Sequence, residues 1–418
     1  MEHYVMKKSG VPWVNMIPET WSVRRGKTIL KLLDRPIRDD DEIITCFRDG
    51  EVTLRKNRRE DGFTIALQET GYQGIEPGDL VVHGMDGFAG SIGISDSRGK
   101  ATPVLNVMDS TQNKRYLMYY LRALAYKDVF MSLSTGIRVR SCDLRWNKLA
   151  VLPFLIPPIE EQNAIVSFLD DQISQIDSII EEVKASIEEY KQWKASTIFE
   201  AVTKGLNPNS EMRDSGIEWI GMMPENWPIR ALFQLVTQVK NKNSDLSEKN
   251  LLSLSYGKIK RKNIDTTDGL LPSSFDGYNI IEANDIVLRL TDLQNDHTSL
   301  RVGRSTEKGI ITSAYVTIRP MKEVDSEYLY YVLHAFDLKK GFYGMGSGVR
   351  QGLNYDEVKM VKLPFAPKEA QRQIVDFLDE QCARIDAVIS EKKALITDLD
   401  SYKRSLIYEA VTGKRKVV

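Results

Sequence analysis

Residues Glu160 to Thr203 read EEQNAIVSFLDDQISQIDSIIEEVKASIEEYKQWKASTIFEAVT, and Glu369 to Thr412 read EAQRQIVDFLDEQCARIDAVISEKKALITDLDSYKRSLIYEAVT. The two stretches align without a gap at an offset of 209 residues, and 22 of their 44 positions are identical. Identity at this level over this length indicates a tandem duplication within one chain.

Both copies have the pattern of a long helix with one apolar stripe. Apolar residues recur at alternating spacings of three and four, which keeps them on one helical face. Neither copy contains glycine or proline. At ~1.5 Å per residue each helix would be about 60 Å long, and two such helices are predicted to pair as a coiled-coil spacer. The predicted seam contains Leu169, Ile173, Ile176, Ile180, Leu378, Ile385, Ile389 and Ile396.

The second apolar stripe has an interruption, and an alternative arrangement of the two helices stays open. Lys392 interrupts the second stripe where the first copy has Val183, so its ammonium group needs a partner or a route to solvent. The alternative arrangement is two separate helices, each buried in its own domain.

Length and composition describe a globular protein with two or three domains. The chain has 418 residues, of which 42% are hydrophobic and 28% charged. It contains no run of 18 apolar residues, and its N-terminus lacks the apolar core of a secretory signal. The three cysteines, Cys46, Cys142 and Cys382, are odd in number and far apart, which favours a reducing cytoplasm.

A second repeat precedes each predicted helix. Ser9 to Arg24 reads SGVPWVNMIPETWSVR and Ser215 to Arg230 reads SGIEWIGMMPENWPIR, with 8 of 16 positions identical. The tryptophans in these segments are predicted to anchor each domain in its own core, and base stacking is the alternative. Residues 37–63 and 246–275, by contrast, share almost nothing that can be aligned. Two copies of one scaffold with different loops suit two modules that read different targets, although drift of unused loops would look the same.

A search for catalytic motifs gives no positive indication of enzymatic chemistry. The four histidines have no metal-ligand spacing and there is no CxxC. A phosphate-binding P-loop, a glycine-rich cofactor loop and a nucleophile elbow are likewise missing from the sequence.

Basic clusters are the remaining candidate sites. The formal net charge is −1, so contact with DNA would have to come from local patches or from partner proteins. Such patches can neutralise phosphates, and arginine can also bind guanine in the major groove. The alternative for each cluster is a solvated charged turn, which nearby acidic residues favour. The candidate DNA-binding residues are Arg55, Lys56, Arg58, Arg59, Arg138, Arg140, Lys258, Lys260, Arg261, Lys262, Arg350 and Gln351.

The chain resembles the specificity subunit of type I restriction–modification systems over nearly its whole length. The resemblance rests on SGVPWVNMIPETW and SGIEWIGMMPENW, on the STGIR and GSGVR turns, and on LPFLIPPIEEQNAIVSFLDDQISQID and LPFAPKEAQRQIVDFLDEQCARID. The order of unit, helix, unit, helix is also that of the family.

The resemblance implies an α+β fold in which two globular target-recognition domains are separated by two long antiparallel coiled-coil helices, with an internal pseudo-twofold repeat. The implied divisions are recognition domain 1 at residues 1–158, a central spacer helix at 159–205, recognition domain 2 at 206–367 and a C-terminal spacer helix at 368–418. The antiparallel arrangement comes from the family, since the sequence alone leaves a parallel pair possible.

The resemblance also implies a function in phage defence. Each domain would read half of a bipartite site in double-stranded DNA, and the helices would fix the gap. The subunit itself would be non-catalytic, with no cofactor and no metal. Two methylation subunits would use S-adenosylmethionine to modify adenine N6, and restriction subunits would use ATP and Mg to translocate and cut DNA.

Two functions from other classes compete with this interpretation. A self-contained restriction or modification enzyme with unfamiliar motifs predicts activity without partners. A coiled-coil scaffold that binds only proteins predicts that no assembled complex protects DNA.

Overall fold

The structure is a computed structural model that describes residues 4–58, 69–132, 144–264, 272, 274–294, 296, 298, 300–345 and 352–417. The chain forms two compact units. Unit 1 is Met1–Val183 with Lys393–Val418, and unit 2 is Lys184–Lys392. Arg59, Arg138, Arg140, Cys142, Arg350 and Gln351, which the sequence analysis singled out, lie outside the described residues.

Unit 1 contains twelve short strands in its described part, and four helices begin there. The strands are β1 (Met6–Val11), β2 (Val14–Pro18), β3 (Ser22–Arg25), β4 (Leu30–Leu32), β5 (Ile44–Cys46), β6 (Val52–Leu54), β7 (Gln73–Ile75), β8 (Leu80–His83), β9 (Ile92–Ile94), β10 (Gly99–Ala101), β11 (Leu105–Ser110) and β12 (Pro153–Ile156). The helices are α1 (Lys114–Tyr126), α2 (Val129–Ser132), α3 (Trp146–Leu149) and α4 (Ile159–Lys204).

Unit 2 has the same series of strands. They are β13 (Met212–Asp214), β14 (Met222–Pro224), β15 (Ile229–Ala231), β16 (Val236–Gln238), β17 (Leu252–Ser255), β18 (Lys258–Arg261), β19 (Asn279–Ile281), β20 (Ile286–Leu288), β21 (Val302–Arg304), β22 (Gly309–Ile311), β23 (Val316–Pro320) and β24 (Lys362–Pro364). Its helices are α5 (Ser326–Leu338), α6 (Tyr355–Val358) and α7 (Lys368–Val411).

The strand pairings of the two units correspond one to one. Each unit has a four-stranded antiparallel sheet, in the order β4-β11-β8-β9 in unit 1 and β16-β23-β20-β21 in unit 2. Four two-stranded sheets accompany it, β1-β2, β3-β12, β5-β6 and β7-β10 in unit 1, and β13-β14, β15-β24, β17-β18 and β19-β22 in unit 2. Both units therefore share one α+β scaffold, including the segments in which their sequences cannot be aligned.

The central strands β8 and β20 are buried on both faces. Leu80 and Val82 belong to the main core of unit 1, which includes α1, whereas Val81 belongs to a smaller core with β5 and β6. In unit 2, Ile286 and Leu288 pack with α5, and Val287 joins the smaller core that carries β17 and β18. Because side chains alternate along a strand, each sheet holds a helix on one face and a hairpin on the other.

The start of each long helix is joined to its own domain through a buried glutamine. Gln162 Oε1 accepts from the Asn113 N–H at 3.0 Å, and Gln371 Oε1 accepts from the Asp325 N–H at 2.9 Å. Asn113 and Asp325 are the N-caps of α1 and α5, and each accepts two backbone N–H groups of its helix. Both glutamines are fully buried, so the same polar joint recurs in both units.

Hydroxyl groups strengthen the same joints. Tyr119 Oη donates to Asp170 on α4 at 2.6 Å, and Tyr331 Oη donates to Asp379 on α7 at 2.6 Å. The entrance tryptophans Trp21 and Trp227 are 1% and 5% exposed, as expected of domain anchors.

The two long helices run antiparallel within each unit. In unit 1, Tyr116 Oη donates to carbonyl groups of Leu155, just before α4, and of Val411, at the end of α7, while Lys403 pairs with Asp177 at 2.5 Å. The end of α7 therefore lies beside the start of α4.

Unit 2 repeats this arrangement. Lys194 pairs with Asp386 at 2.7 Å, and one turn earlier in α4 the Tyr190 ring lies 5.5 Å from the Lys392 ammonium. The residue that interrupts the apolar stripe thus finds a cation–π partner. Of the predicted seam, Leu169, Ile176, Ile180, Leu378, Ile385 and Ile389 are buried, and Ile173 and Ile396 are partly buried against the unit 1 core. The predicted fold class is confirmed.

Candidate nucleic-acid interface

The two basic clusters predicted from sequence lie on equivalent hairpins. Arg55, Lys56 and Arg58 follow β6 of the β5-β6 hairpin, whereas Lys258, Lys260 and Arg261 belong to β18 of the β17-β18 hairpin and Lys262 follows it. No sequence alignment could have paired these segments. Their common position follows from the strand pairing, which depends on the alternation of inward and outward side chains and not on the identity of the residues.

In unit 1 the hairpin cations contact neighbouring acidic or polar groups. Lys56 pairs with Glu42 at 2.5 Å, and Arg58 pairs with Asp49 at 2.6 Å and with Glu51 at 2.9 Å. Arg55 Nε donates to Thr45 Oγ1 at 3.1 Å. Exposed ion pairs contribute only about 0–1 kcal/mol, so a phosphate can replace a carboxylate at small cost.

In unit 2 the hairpin presents lysines that have no such partners within the described residues. Ile259 points into the small core, so Lys258 and Lys260 lie on the opposite face of β18, and both are exposed. Among the residues that the structure describes, no carboxylate lies within ion-pair distance of Lys258, Lys260 or Lys262. Among the described cations of the two hairpins, these lysines are the least neutralised.

Arg261 differs from the lysines beside it. Its guanidinium makes a bidentate contact with Glu307, with separations of 2.5 and 2.9 Å. This contact lowers the pKa of the Glu307 carboxyl group and raises the pKa of Arg261, so both groups are charged at neutral pH. Arg261 is therefore predicted to contribute less to an interface than its lysine neighbours.

A cleft of about 280 Å³ with a mixed polar and apolar lining lies elsewhere in unit 2 and was not predicted from the sequence. Lys240, Lys242, Tyr315 and Tyr355 are among its lining residues, and so is the buried Asn279. Asn279 Oδ1 has no hydrogen-bond partner among the described residues. Its equivalent in unit 1 is Gln73, whose Oε1 atom is also unpaired within the described part. The only signal for this cleft in the sequence is the pair Lys240 and Lys242, which precedes a polar loop.

A buried arginine that was not predicted from the sequence organises a loop in unit 2. Arg301 is fully buried and donates to the carbonyl oxygens of Thr291, at 2.8 Å, of Asp292 and of Asp296. Its own N–H donates to Asp337 Oδ2 at 2.6 Å. The loop that Arg301 holds, residues 289–301, joins β20 to β21. The corresponding connection in unit 1 is shorter and folds around His83 Nδ1, which accepts from the Met85 and Asp86 N–H groups.

Two titratable groups on α5 have shifted pKa values because they are buried. Burial raises the pKa of Asp337 to about 6 and lowers the pKa of His334 to about 4. His334 stacks on Tyr330 with ring centroids 5.6 Å apart.

No group of three or more His, Cys, Asp or Glu side chains in the described part of the chain is placed to hold a metal ion. Within the same residues, no helix is long and apolar enough to cross a membrane.

Comparisons with known proteins agree with the duplicated fold. Residues 224–397 match the family model of the type I restriction modification DNA specificity domain. A putative specificity subunit of the type I restriction enzyme MjaX from Methanocaldococcus jannaschii is 23% identical over 97% of this chain and 96% of its own length.

Two solved structures are also similar. A chain from a type I R-M system, described for its complex assembly and conformational transition, gives a TM-score of 0.68 at 12% identity over 96% of this chain and 99% of that chain. The HsdS subunit from Thermoanaerobacter tengcongensis gives 0.49 at 13% identity over 96% and 98%. The family match lies almost wholly within unit 2 and the relative aligns over both units, so the chain is similar over its length to type I restriction–modification specificity subunits.

Proposed function

We propose that the chain is a non-catalytic subunit in which each globular domain reads one half of a bipartite DNA site. The helix pair sets the gap between the half-sites and docks two methylation subunits, which methylate adenine N6. The observation that carries this proposal is the duplication: one scaffold occurs twice, and each copy presents a different basic hairpin.

Differences between the hairpins support two distinct half-sites. The β5-β6 connection spans residues 47–51 and is surrounded by ion pairs, whereas β17 and β18 are joined by two residues and carry unpaired lysines within the described part of unit 2. A two-stranded ribbon fits the major groove, where base edges can be distinguished. Readers with different shapes and charges suit different base sequences.

The helices have the properties that a spacer needs. They contain 46 and 44 residues, which corresponds to about 69 and 66 Å at the usual helical rise. The buried glutamine joints fix the start of each helix to its own domain, and the ion pairs of Lys194 and Lys403 fix the register within each unit. A spacer with loose joints could not define a gap to one base pair.

The proposed partners supply the chemistry that the chain itself lacks. The methylation subunits would bring S-adenosylmethionine, and restriction subunits with translocase activity would bring ATP and Mg. The complex would act on DNA in the cytoplasm. With a formal net charge of −1 on this chain, the partners would also add positive charge around the duplex.

Replacing Lys258 and Lys260 together with glutamine is expected to weaken DNA binding by the complex with the methylation subunits. Each lost phosphate contact should reduce the slope of log K against log salt concentration by about 1, with similar effects on all DNA sequences. Fluorescence anisotropy at several salt concentrations measures this slope.

The matched control is Lys322→Gln, an exposed lysine in the turn before α5. We expect the control to keep the wild-type slope. If the variant with both Lys258→Gln and Lys260→Gln kept the wild-type slope and affinity, β18 would not belong to the DNA interface.

A further inference from the structure

The turn that joins β17 to β18 contains an unusual residue. Tyr256 and Gly257 form a two-residue connection with φ values of 49° and 75°. Positive φ at both positions is typical of a type I′ hairpin turn, which favours Asn-Gly. Glycine suits the second position, but a tyrosine in the left-handed region is strained. The sequence thus keeps a bulky side chain where a smaller one would stabilise the turn.

The Tyr256 side chain makes little contact with the rest of the described chain. It is 76% exposed, more than any other large hydrophobic residue in the described part of the chain. The structure shows no hydrogen bond or ring contact for Tyr256 within the described residues. Backbone strain without a local structural benefit points to a function outside the folded chain.

The surroundings of the turn identify the class of ligand. Lys258 begins β18 directly after the turn, and Lys260 lies on the same exposed face. An exposed aromatic ring beside lysines that have no carboxylate partner within the described residues suits duplex DNA, because the ring can insert between base pairs and stack on them while the lysines neutralise phosphates.

The equivalent connection in unit 1 avoids the strain. There Gly50 takes the left-handed position, with φ of 89°, and the aromatic residue Phe47 is half-buried with the Arg58 guanidinium 4.4 Å from its ring centroid. The exposed, strained aromatic residue is therefore a feature of the unit 2 hairpin.

We propose that the Tyr256 ring inserts between base pairs of the half-site read by unit 2 and stacks on the bases there, while Lys258 and Lys260 neutralise adjacent phosphates. This inference rests on the proposed function. It adds a base-contacting residue at the tip of one reader and predicts that the two half-sites are contacted in different ways.

Two variants separate the ring from the backbone. Tyr256→Asn removes the ring and introduces a residue that tolerates the left-handed region, so the melting temperature should stay the same or rise. Its affinity for the cognate duplex, measured in the complex with methylation subunits, should fall about tenfold or more, in line with the loss of one stacked base. Tyr256→Phe keeps the ring and should bind within about threefold of the wild type.

A local probe tests where the ring acts. The fluorescence of 2-aminopurine, which reports base stacking, is measured with the probe in each half-site in turn. The Asn variant should change the response in one half-site only, so that the other half-site is an internal control. A well-folded Asn variant with wild-type affinity, or a Phe variant as weak as the Asn variant, would overturn the stacking role. Failure of the wild-type complex to bind any bipartite duplex would instead overturn the proposed function.

Discussion

Replacing Arg301 with methionine is expected to lower the free energy of unfolding of unit 2 by about 3–5 kcal/mol, the usual cost of removing one member of a buried charged network. Arg301 is fully buried, and its side chain donates to three backbone carbonyl groups of the loop before it. Its Nε also donates to Tyr343 Oη at 3.2 Å. Methionine fills similar volume but cannot replace the guanidinium donor to the Thr291 carbonyl or the positive charge beside the Asp296 carboxylate.

The loss of stability in the Arg301→Met variant should be concentrated in unit 2. Because the loop of residues 289–301 is held by Arg301, the variant should lose discrimination at one half-site while the other half-site is still read. Chemical denaturation measures the stability, and binding to duplexes mutated in each half-site measures the discrimination. Arg301→Lys should be intermediate, since an ammonium group cannot reach all the acceptors of a guanidinium. A loss below about 1 kcal/mol in the methionine variant would show that the network does not hold the loop.

Asp337, whose carboxyl group accepts from the Arg301 N–H, is expected to make the stability of unit 2 depend on pH. Burial raises its pKa to about 6, above an ordinary unfolded value of about 4, so the folded state holds a proton more tightly. The protonated Asp337 carboxyl group therefore contributes to the stability of the folded state at pH values below 4, and this contribution is lost as the pH rises through 6. Asp337→Asn keeps an acceptor for the Arg301 N–H but does not titrate, so its stability relative to the wild type should rise between pH 4 and pH 8. Equal pH profiles for the two proteins would contradict this assignment.

Replacing Gln371 with methionine is the second change with a large expected effect, about 2–4 kcal/mol of unfolding free energy, because each buried backbone group left unpaired costs about 1–3 kcal/mol. Gln371 Oε1 accepts from the Asp325 N–H at 2.9 Å, and its Nε2 donates to the Ala366 carbonyl at 2.8 Å. Methionine has nearly the same shape and can make neither bond. Thermal and chemical unfolding measure the loss.

The equivalent change in unit 1, Gln162→Met, should have a similar cost, since Gln162 Nε2 donates to the Pro157 carbonyl at 2.9 Å and its Oε1 accepts from the Asn113 N–H. The control on the same helix as Gln371 is Arg384→Gln, which removes an exposed i,i+4 pair with Glu380 and should change stability by about 0.5 kcal/mol or less. Equal losses in Gln371→Met and Arg384→Gln would show that the joint is unimportant. If the joints define the spacer, the glutamine variants should also bind sites with a range of gap lengths.

Much of the fold could be predicted from sequence because its signals are local or repeated. The long helices followed from a 3–4 apolar spacing with no glycine or proline, and the duplicated units followed from the matching tryptophan segments. The Lys392 interruption was visible in the sequence, but its partner Tyr190 was not, because a cation–π contact between helices depends on their register.

The candidate interface could be predicted only in part. The basic residues were visible as clusters, but the equivalence of β6 and β18 depends on long-range strand pairing that the divergent sequences do not record. Charge counting could not distinguish Lys56, which pairs with Glu42, from Lys258, which lacks a carboxylate partner within the described residues. Arg301 looked like any surface arginine, since burial by the preceding loop leaves no periodic signal.

The central claim is that two readers and one spacer define the DNA target. The most direct test is methylation-sensitive sequencing of DNA from cells that express this chain with its cognate methylation subunits. We expect a bipartite motif with a fixed unspecific gap, methylated on adenine once in each half-site and on opposite strands. A continuous motif, or no motif from a stable complex, would contradict the claim.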